Sequence, residues 1–333
     1  MDDNSNTSPL GTQPGSIVAT IVSARSIQRA ATTADLRKFV ETGRFFWLDI
    51  VGSDEAVRAT FLRELGLKEE DSVWMQRFGQ TGRMTIGQEA LRTVAWLSEV
   101  SPSLTEIHLL ASRKYILTVW TGDASALNEI RAQFAERAEE LEKSPYQAAA
   151  IVLQLLLGTL DQATSAIDVR LQEFREQLKR NPTTIDLTML TGRLQSLLTA
   201  WSAIDRYSTA VRSAIVGIEA LGIDQRGAAE LNNYADQVDD IEHRLHERYQ
   251  WGADIAQSSA AAIAKRQGEQ INRLTIVSLM FLPITFLTGF FGMNFDWMIN
   301  TLGSPAAFFL LGILLPTASV IVTVLWLKRR GLM

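Results

Sequence analysis

The sequence predicts an α+β cytoplasmic domain followed by long helices and a two-span transmembrane helical hairpin. Three observations carry this. Two apolar runs, 274–291 and 306–327, lie near the C-terminus, and Asp296 is the only charged residue between Arg273 and Lys328. Residues 145–273 show helical periodicity with few breakers. Residues 15–144 alternate β-branched or aromatic runs of strand length with short amphipathic segments.

The chain has 333 residues, more than one compact core is expected to hold. Its 47% hydrophobic and 21% charged residues would suit an ordinary soluble protein, but the apolar excess is concentrated at the C-terminus. The absence of cysteine excludes a disulfide framework and thiolate metal sites. A net charge of −5 argues against a nucleic-acid partner.

Residues 1–14 are polar, carry Gly, Pro and Ser, and are expected to be disordered. They lack the basic and apolar regions of a secretory signal, so the soluble part is expected to remain in the cytoplasm. Within the domain 15–144, residues 16–22 and 44–51 read as strands. Residues 34–41 and 53–66 read as short helices, the second capped by Ser53 or Asp54. Residues 89–100 fit a strand or a helix, with strand preferred. Residues 105–112 and 114–121 read as a β-hairpin about Arg113, with His108 in a structural role. Residues 124–143 read as a helix. Gly79-Gln80-Thr81-Gly82 lacks the Lys-Ser/Thr of a phosphate-binding loop and reads as a turn.

Residues 145–222 are expected to form a pair of antiparallel long helices, 146–180 and 186–222, separated by Asn181-Pro182-Thr183-Thr184. The apolar stretch 148–158 in the first is too short to span a bilayer. A stalk, 223–273, begins near Ala228 and meets no proline before Pro283. If continuous to Phe291 it would run about 95 Å. Leu231, Tyr234, Val238, Ile241 and Leu245 form a heptad-like seam, continued by the smaller Gly252, Ile255, Ser259 and Ala262. Such a helix must be covered by copies of itself or by the two preceding helices.

The run 274–291 would make about 27 Å of helix, close to the thickness of a bilayer core. It is followed by an outer loop, 292–305, a second span, 306–327, and a basic tail, 328–333. Lys265, Arg266 and Arg273 precede the first span, Lys328, Arg329 and Arg330 follow the second, and 295–305 has no Lys or Arg. The positive-inside rule then places both termini in the cytoplasm, with the chain in the cytoplasmic (inner) membrane. Trp297 and Trp326 suit the bilayer edges. Pro283 and Pro316 lie within the spans and are expected to disturb their helices.

Leu274, Ser278, Leu282, Thr285, Gly289 and Gly292 recur every three or four residues and mark one helical stripe. The stripe reads equally as a seam for helix–helix packing or as the wall of a pore. Two spans cannot enclose a water-filled path, so conduction would require an oligomer. The spans contain no Asp, Glu, His or Lys, which argues against a proton relay inside the membrane. Hydroxyls, carbonyls and an amide suit an ion that keeps its water, as Mg2+ does, and leucine rings could gate by dewetting.

The sequence Phe291-Gly292-Met293-Asn294-Phe295 after the first of two C-terminal spans resembles the CorA superfamily of divalent-cation transporters. The preceding Phe281-Leu282-Pro283-Ile284-Thr285-Phe286 and the basic Lys328-Arg329-Arg330 are similar as well. The resemblance implies a homopentameric funnel in a lipid bilayer, with Gly292, Met293 and Asn294 as selectivity filter. Leu274, Ser278, Leu282, Thr285 and Gly289 would line the pore. Asn294 and the Gly292 carbonyl would hold hydrated divalent cations through their water, with Met293 more suited to packing. The transported ion would be Mg2+ or another divalent metal, Zn2+, Co2+ or Ni2+, and no cofactor is expected. Members of the magnesium branch commonly carry Met-Pro-Glu after the motif. Here Met298-Ile299-Asn300 stands instead, with Asp296 the nearby acid, which is similar to the zinc-associated ZntB-like branch. The family's cytoplasmic metal sensing directs attention to Asp236, Asp239 and Asp240. His243 and His246, three apart on the stalk, are a further possible pair of metal ligands, against the reading of two surface histidines. No enzyme fingerprint is present. The function of another class that fits the layout is a non-conducting, membrane-anchored sensor or scaffold.

Overall fold

A computed structural model describes residues 17–80, 82–98, 104–181, 186–293, 296, 300 and 303–330. The chain divides into two compact units, residues 1–176 with 186–256, and residues 177–185 with 257–333.

The first unit holds a seven-stranded sheet in the order β2-β1-β3-β7-β6-β5-β4. The strands are β1 (Val18–Ser23), β2 (Ser26–Gln28), β3 (Phe46–Val51), β4 (Met84–Ile86), β5 (Ala90–Leu97), β6 (Thr105–Ser112) and β7 (Tyr115–Trp120). Every pairing is antiparallel except that of β3 with β7. β3 is buried along its whole length, because both faces of the sheet are covered. On one face Phe46, Leu48 and Ile50 pack with Leu36 of α1 (Thr33–Thr42), Phe61 and Leu62 of α2 (Glu55–Glu64) and Met75 of α3 (Glu69–Gln76). On the other face Trp47 meets Phe134 of α4 (Asn128–Leu141) edge-on, with centroids 5.3 Å apart.

That second face carries a buried polar network. The Asp49 carboxylate, fully buried, accepts from Thr118 Oγ1 at 2.5 Å and Trp120 Nε1 at 2.9 Å, and pairs with the Arg131 guanidinium of α4. Trp47 Nε1 in turn donates to Thr118 Oγ1 at 2.8 Å. A charge at the centre of the sheet is tolerated because its lone pairs meet donors and its charge meets a partner.

The ambiguous 89–100 segment contains strand β5, fixed by its ladder with β6. The expected hairpin is present as β6 and β7. β2, β4 and α3 are short elements that the sequence pattern did not reveal. Asp54 rather than Ser53 caps α2, accepting from Val57 N. His108 is buried between Trp74 and Phe78, with its ring nitrogens 3.1 Å from Trp74 O and 2.6 Å from Glu106 Oε1.

The helical layer follows as α5 (Pro145–Arg180) and α6 (Leu187–Ile215). The expected single helix over 186–222 is corrected here. α6 stops at Ile215, Gly217 turns left-handed with φ +84°, and a 3-10 turn, Ile218–Leu221, ends on Gly222 with φ +67°. Positive φ at two glycines five residues apart is the physical stop, which a periodic apolar pattern does not reveal.

α7 (Gln225–Phe291) is one helix of 67 residues. Its seam residues Leu231, Tyr234, Val238, Ile241, Leu245 and Ile255 are buried. The chain's own α5 and α6 cover part of this seam. Tyr207 of α6 hydrogen-bonds Tyr234 at 2.7 Å and Thr93 of β5 at 3.0 Å. A methyl group on Gly252 would stand 2.5 Å from Leu194 of α6 and 3.2 Å from Leu171 of α5. A larger residue there would force the two leucine side chains to shift.

The second unit contains the apolar part of α7 and a further helix, α8 (Pro305–Arg329). Ser304 caps α8, its hydroxyl accepting from Ala307 N. Residues Phe308–Leu314 widen into a π-helix, with Leu315 N donating to Leu310 O. Pro316 follows at once. Its ring cannot accept the ordinary approach of the carbonyl four residues back, and a π-turn relieves that clash.

Candidate ion-conduction site

Among the described residues, three helices are long and apolar enough to cross a membrane, namely α5, α7 and α8. The stretch 148–158 of α5 is by itself too short to span a bilayer. By length and composition the whole helix qualifies, and what separates it is its surroundings. Its apolar window is 56% buried within the fold, against 0% for α7 and 6% for α8. Leu274, Leu282 and Phe286 of α7 and Phe308, Leu314 and Val322 of α8 stand exposed. Exposed apolar surface on this scale needs a covering, from lipid or protein.

Leu274, Ser278, Leu282, Thr285 and Gly289 lie on the unbroken part of α7. The hydroxyls there share one arrangement. Ser278 Oγ donates to Leu274 O at 2.9 Å and Thr285 Oγ1 to Phe281 O at 2.9 Å. Thr275 and Thr288 do the same toward Ile271 O and Ile284 O, at 2.8 and 2.9 Å. Each proton is spent on the helix's own backbone four residues back. What remains outward is oxygen lone pairs, so these side chains act as acceptors.

α7 ends at Phe291. Gly292 N donates to Thr288 O at 2.9 Å and Met293 N to Phe290 O at 3.3 Å, closing a turn on the last helical carbonyls. A Cβ on Gly292 would stand 2.9 Å from that same Thr288 carbonyl. Because the obstacle is backbone, no side-chain rotation could relieve it, and glycine is required by space. Gly289 has nothing within 4 Å of a Cβ, so packing inside the chain does not explain that glycine. Thr288, whose carbonyl seats Gly292, lies outside the sequence stripe; periodicity carried no sign of it. Asn294 lies outside the described residues.

The stalk candidates are dispersed. Asp239 accepts from Ser208 Oγ at 2.6 Å and pairs with Arg212 at 3.1 Å. Asp240 pairs with Arg244 at 2.8 Å, and His243 lies 3.3 Å from Glu247. His246 stacks on Trp201 and hydrogen-bonds Gln250. Asp236 is exposed. Among the described residues, no three His, Cys, Asp or Glu side chains are grouped to hold a metal ion.

The family described as CorA-like Mg2+ transporter protein matches residues 42–329. The chain belongs to the CorA family. A Bacillus subtilis (strain 168) protein, YfjQ, described as a metal ion transporter, is 22% identical over 229 residues, covering 68% of this chain and 70% of its own. The full-length CmaX structure superposes with a TM-score of 0.70 at 16% identity, covering 97% of this chain and 99% of that one. The complete CorA magnesium transporter from Methanocaldococcus jannaschii gives 0.74 at 11% identity, covering 97% and 100%. At such low identity these structures establish the fold, a CorA-like arrangement of an N-terminal α/β domain and long helices. Family membership makes the chain a CorA-like metal ion transporter of the divalent-cation class. The membrane association expected from its apolar helices accords with that assignment.

Proposed function

We propose that five copies of this chain form a divalent-cation channel in the cytoplasmic membrane, with α7 of each lining the pore and α8 outside it. Both termini then lie in the cytoplasm. Gly292, Met293 and Asn294 form the outer selectivity filter, and the stripe from Leu274 to Gly289 forms the wall. The observation that carries this reading is the common orientation of the α7 hydroxyls. With their protons bound to backbone carbonyls, Ser278 and Thr285 offer only acceptors. Water around a metal cation points its hydrogens outward, so an acceptor wall suits a hydrated cation and repels a hydrated anion. Nothing in such a wall asks the ion to shed its water, which favours Mg2+, the cation that dehydrates most reluctantly. Met298-Ile299-Asn300, with no acid among them, keeps a zinc-selective, ZntB-like transporter as the second reading.

The test is flux into liposomes holding the purified protein, with Mg2+ and Zn2+ in competition. Asn294→Ala is expected to lose selectivity or flux. Wild-type transport by that variant would remove the filter assignment. A detergent-solubilised particle with the mass of a monomer or dimer would remove the pore.

A further inference from the structure

A cleft of about 540 Å3 opens in the α/β domain between the start of α3, the β4–β5 hairpin and the β6–β7 turn. It lies wholly within the first unit and shares no residue with the α7 site. Its size falls within the range of small-molecule sites.

Its polar groups are arranged unequally. Arg92 of β5 is one-third exposed, and its Nε lies 2.6 Å from Oδ1 of the buried Asp71. The two charges are paired at this distance, although that Asp71 oxygen has no aligned hydrogen-bond donor among the described residues. The two terminal nitrogens of Arg92 have no partner among the described residues. The Tyr115 hydroxyl has none either, and burial pushes its pKa up to about 12, so it stays protonated and can donate. Lys68 lies 3.0 Å from Glu89, and both side chains are largely in solvent. An exposed pair of this kind is weak and readily exchanged. The cleft therefore offers a guanidinium fork without a partner, a phenolic donor and a releasable ammonium, and each of its two acids is ion-paired with a cation of the cleft. Leu67 and Leu110 supply apolar lining.

We propose that this cleft binds a small organic anion, a phosphorylated or carboxylated metabolite whose oxyanion sits on the Arg92 fork. A planar two-oxygen face on phosphate or carboxylate matches two parallel guanidinium N–H donors. The cleft leaves room for a ligand body beside Leu67 and Leu110. Tyr115 donates to a second ligand oxygen, and Lys68 exchanges Glu89 for the ligand.

The test is calorimetric titration of the full-length protein in detergent and metal-free buffer, with ATP, citrate and inorganic phosphate as probes. ATP or citrate is expected to bind saturably below about 1 mM, more tightly than inorganic phosphate. Tighter binding of ATP assigns a phosphate ligand, and of citrate a carboxylate. Arg92→Gln is expected to weaken binding about tenfold or more. Glu89→Gln frees Lys68 and is expected to tighten it about threefold. Tyr115→Phe keeps the ring and is expected to weaken it severalfold. Should Arg92→Gln fail to fold, the opposite signs of Glu89→Gln and Tyr115→Phe decide the matter. The proposal is overturned if neither organic anion saturates, if inorganic phosphate binds as tightly as both, or if the variants leave the titration unchanged.

Discussion

Replacing Arg131 by Met removes the cation from the Asp49 network while keeping most of the side-chain volume. Asp49 is fully buried and would be left with two neutral donors, Thr118 and Trp120. Two charge-assisted bonds disappear with Arg131, and the carboxylate stays where water cannot reach it. Breaking a buried pair from one side costs about 3–5 kcal/mol. At about 2–4 °C per kcal/mol for a unit of this size, the thermal midpoint should fall by about 6–20 °C. The assay is a melt of the detergent-solubilised protein followed by tryptophan fluorescence, since Trp47 and Trp120 border the network. The double variant Asp49→Asn/Arg131→Met removes the stranded charge and should recover at least half of the loss. A single variant that melts within a degree of wild type, or a double variant no better than the single, would refute the account of this network as a charge that needs its partner.

Gly292→Ala places a methyl against the Thr288 carbonyl; metal flux should fall about tenfold or more, at a cost of ~1–3 kcal/mol in the outer turn, with the cytoplasmic melt unchanged. Thr285→Val should reduce flux severalfold while Thr285→Ser retains it, because only the valine removes the outward acceptor; equal flux in the two would return the stripe to helix packing. Glu106 is pushed up by burial, but hydrogen bonds from His108, Gly79 and Gln80 prevail and hold its pKa below the usual 4.5. A depressed carboxyl stabilises the fold above that value, so stability should decline as pH falls below 4.5, and Glu106→Gln should flatten the decline in an acid denaturation series.

The parts of the fold written in strong periodicity were legible. The β6–β7 hairpin and the apolar runs of α7 and α8 follow from alternation or from long stretches without charge. The stops were not. α6 ends at Ile215, two residues before Gly217, whose left-handed φ is invisible in a pattern of apolar spacings. β2 and β4 have three residues each and exist because a neighbouring strand fixes their register. The π-turn of α8 could be sensed only as a disturbance near Pro316. At the candidate site the stripe was readable, since it is a matter of residue type and spacing. The direction of each hydroxyl proton was not, because a Ser or Thr on a helix can donate outward or back to its own carbonyls. The role of Thr288 depends on a backbone contact with Gly292, to which side-chain identity gives no clue.

Arginines decide how the stalk acids can behave. Arg212 holds Asp239, and Arg244 lies 2.8 Å from both Asp240 and Asp161 of α5. Arg248 meets Asp168 of α5 through two bonds of 2.6 and 2.8 Å, and the Asp168 hydrogen bond, the main cause, raises its pKa. Except for Arg244–Asp240, four residues apart within α7, these contacts run between helices and serve the bundle. A divalent cation arriving at Asp239 would have to displace a guanidinium and release the α6–α7 contact, whereas at Asp240 it would displace Arg244 from a pairing within α7. His243 and His246 are engaged by Glu247, Gln250 and Trp201. Of the five stalk candidates, Asp236 is the acid that no arginine of the described residues engages. A metal site on this stretch would therefore start from Asp236 and draw its remaining ligands from another chain or from water. Asp236→Asn would abolish such a site at little cost to the fold, whereas Asp239→Asn would loosen α6 from α7 whether or not metal is present.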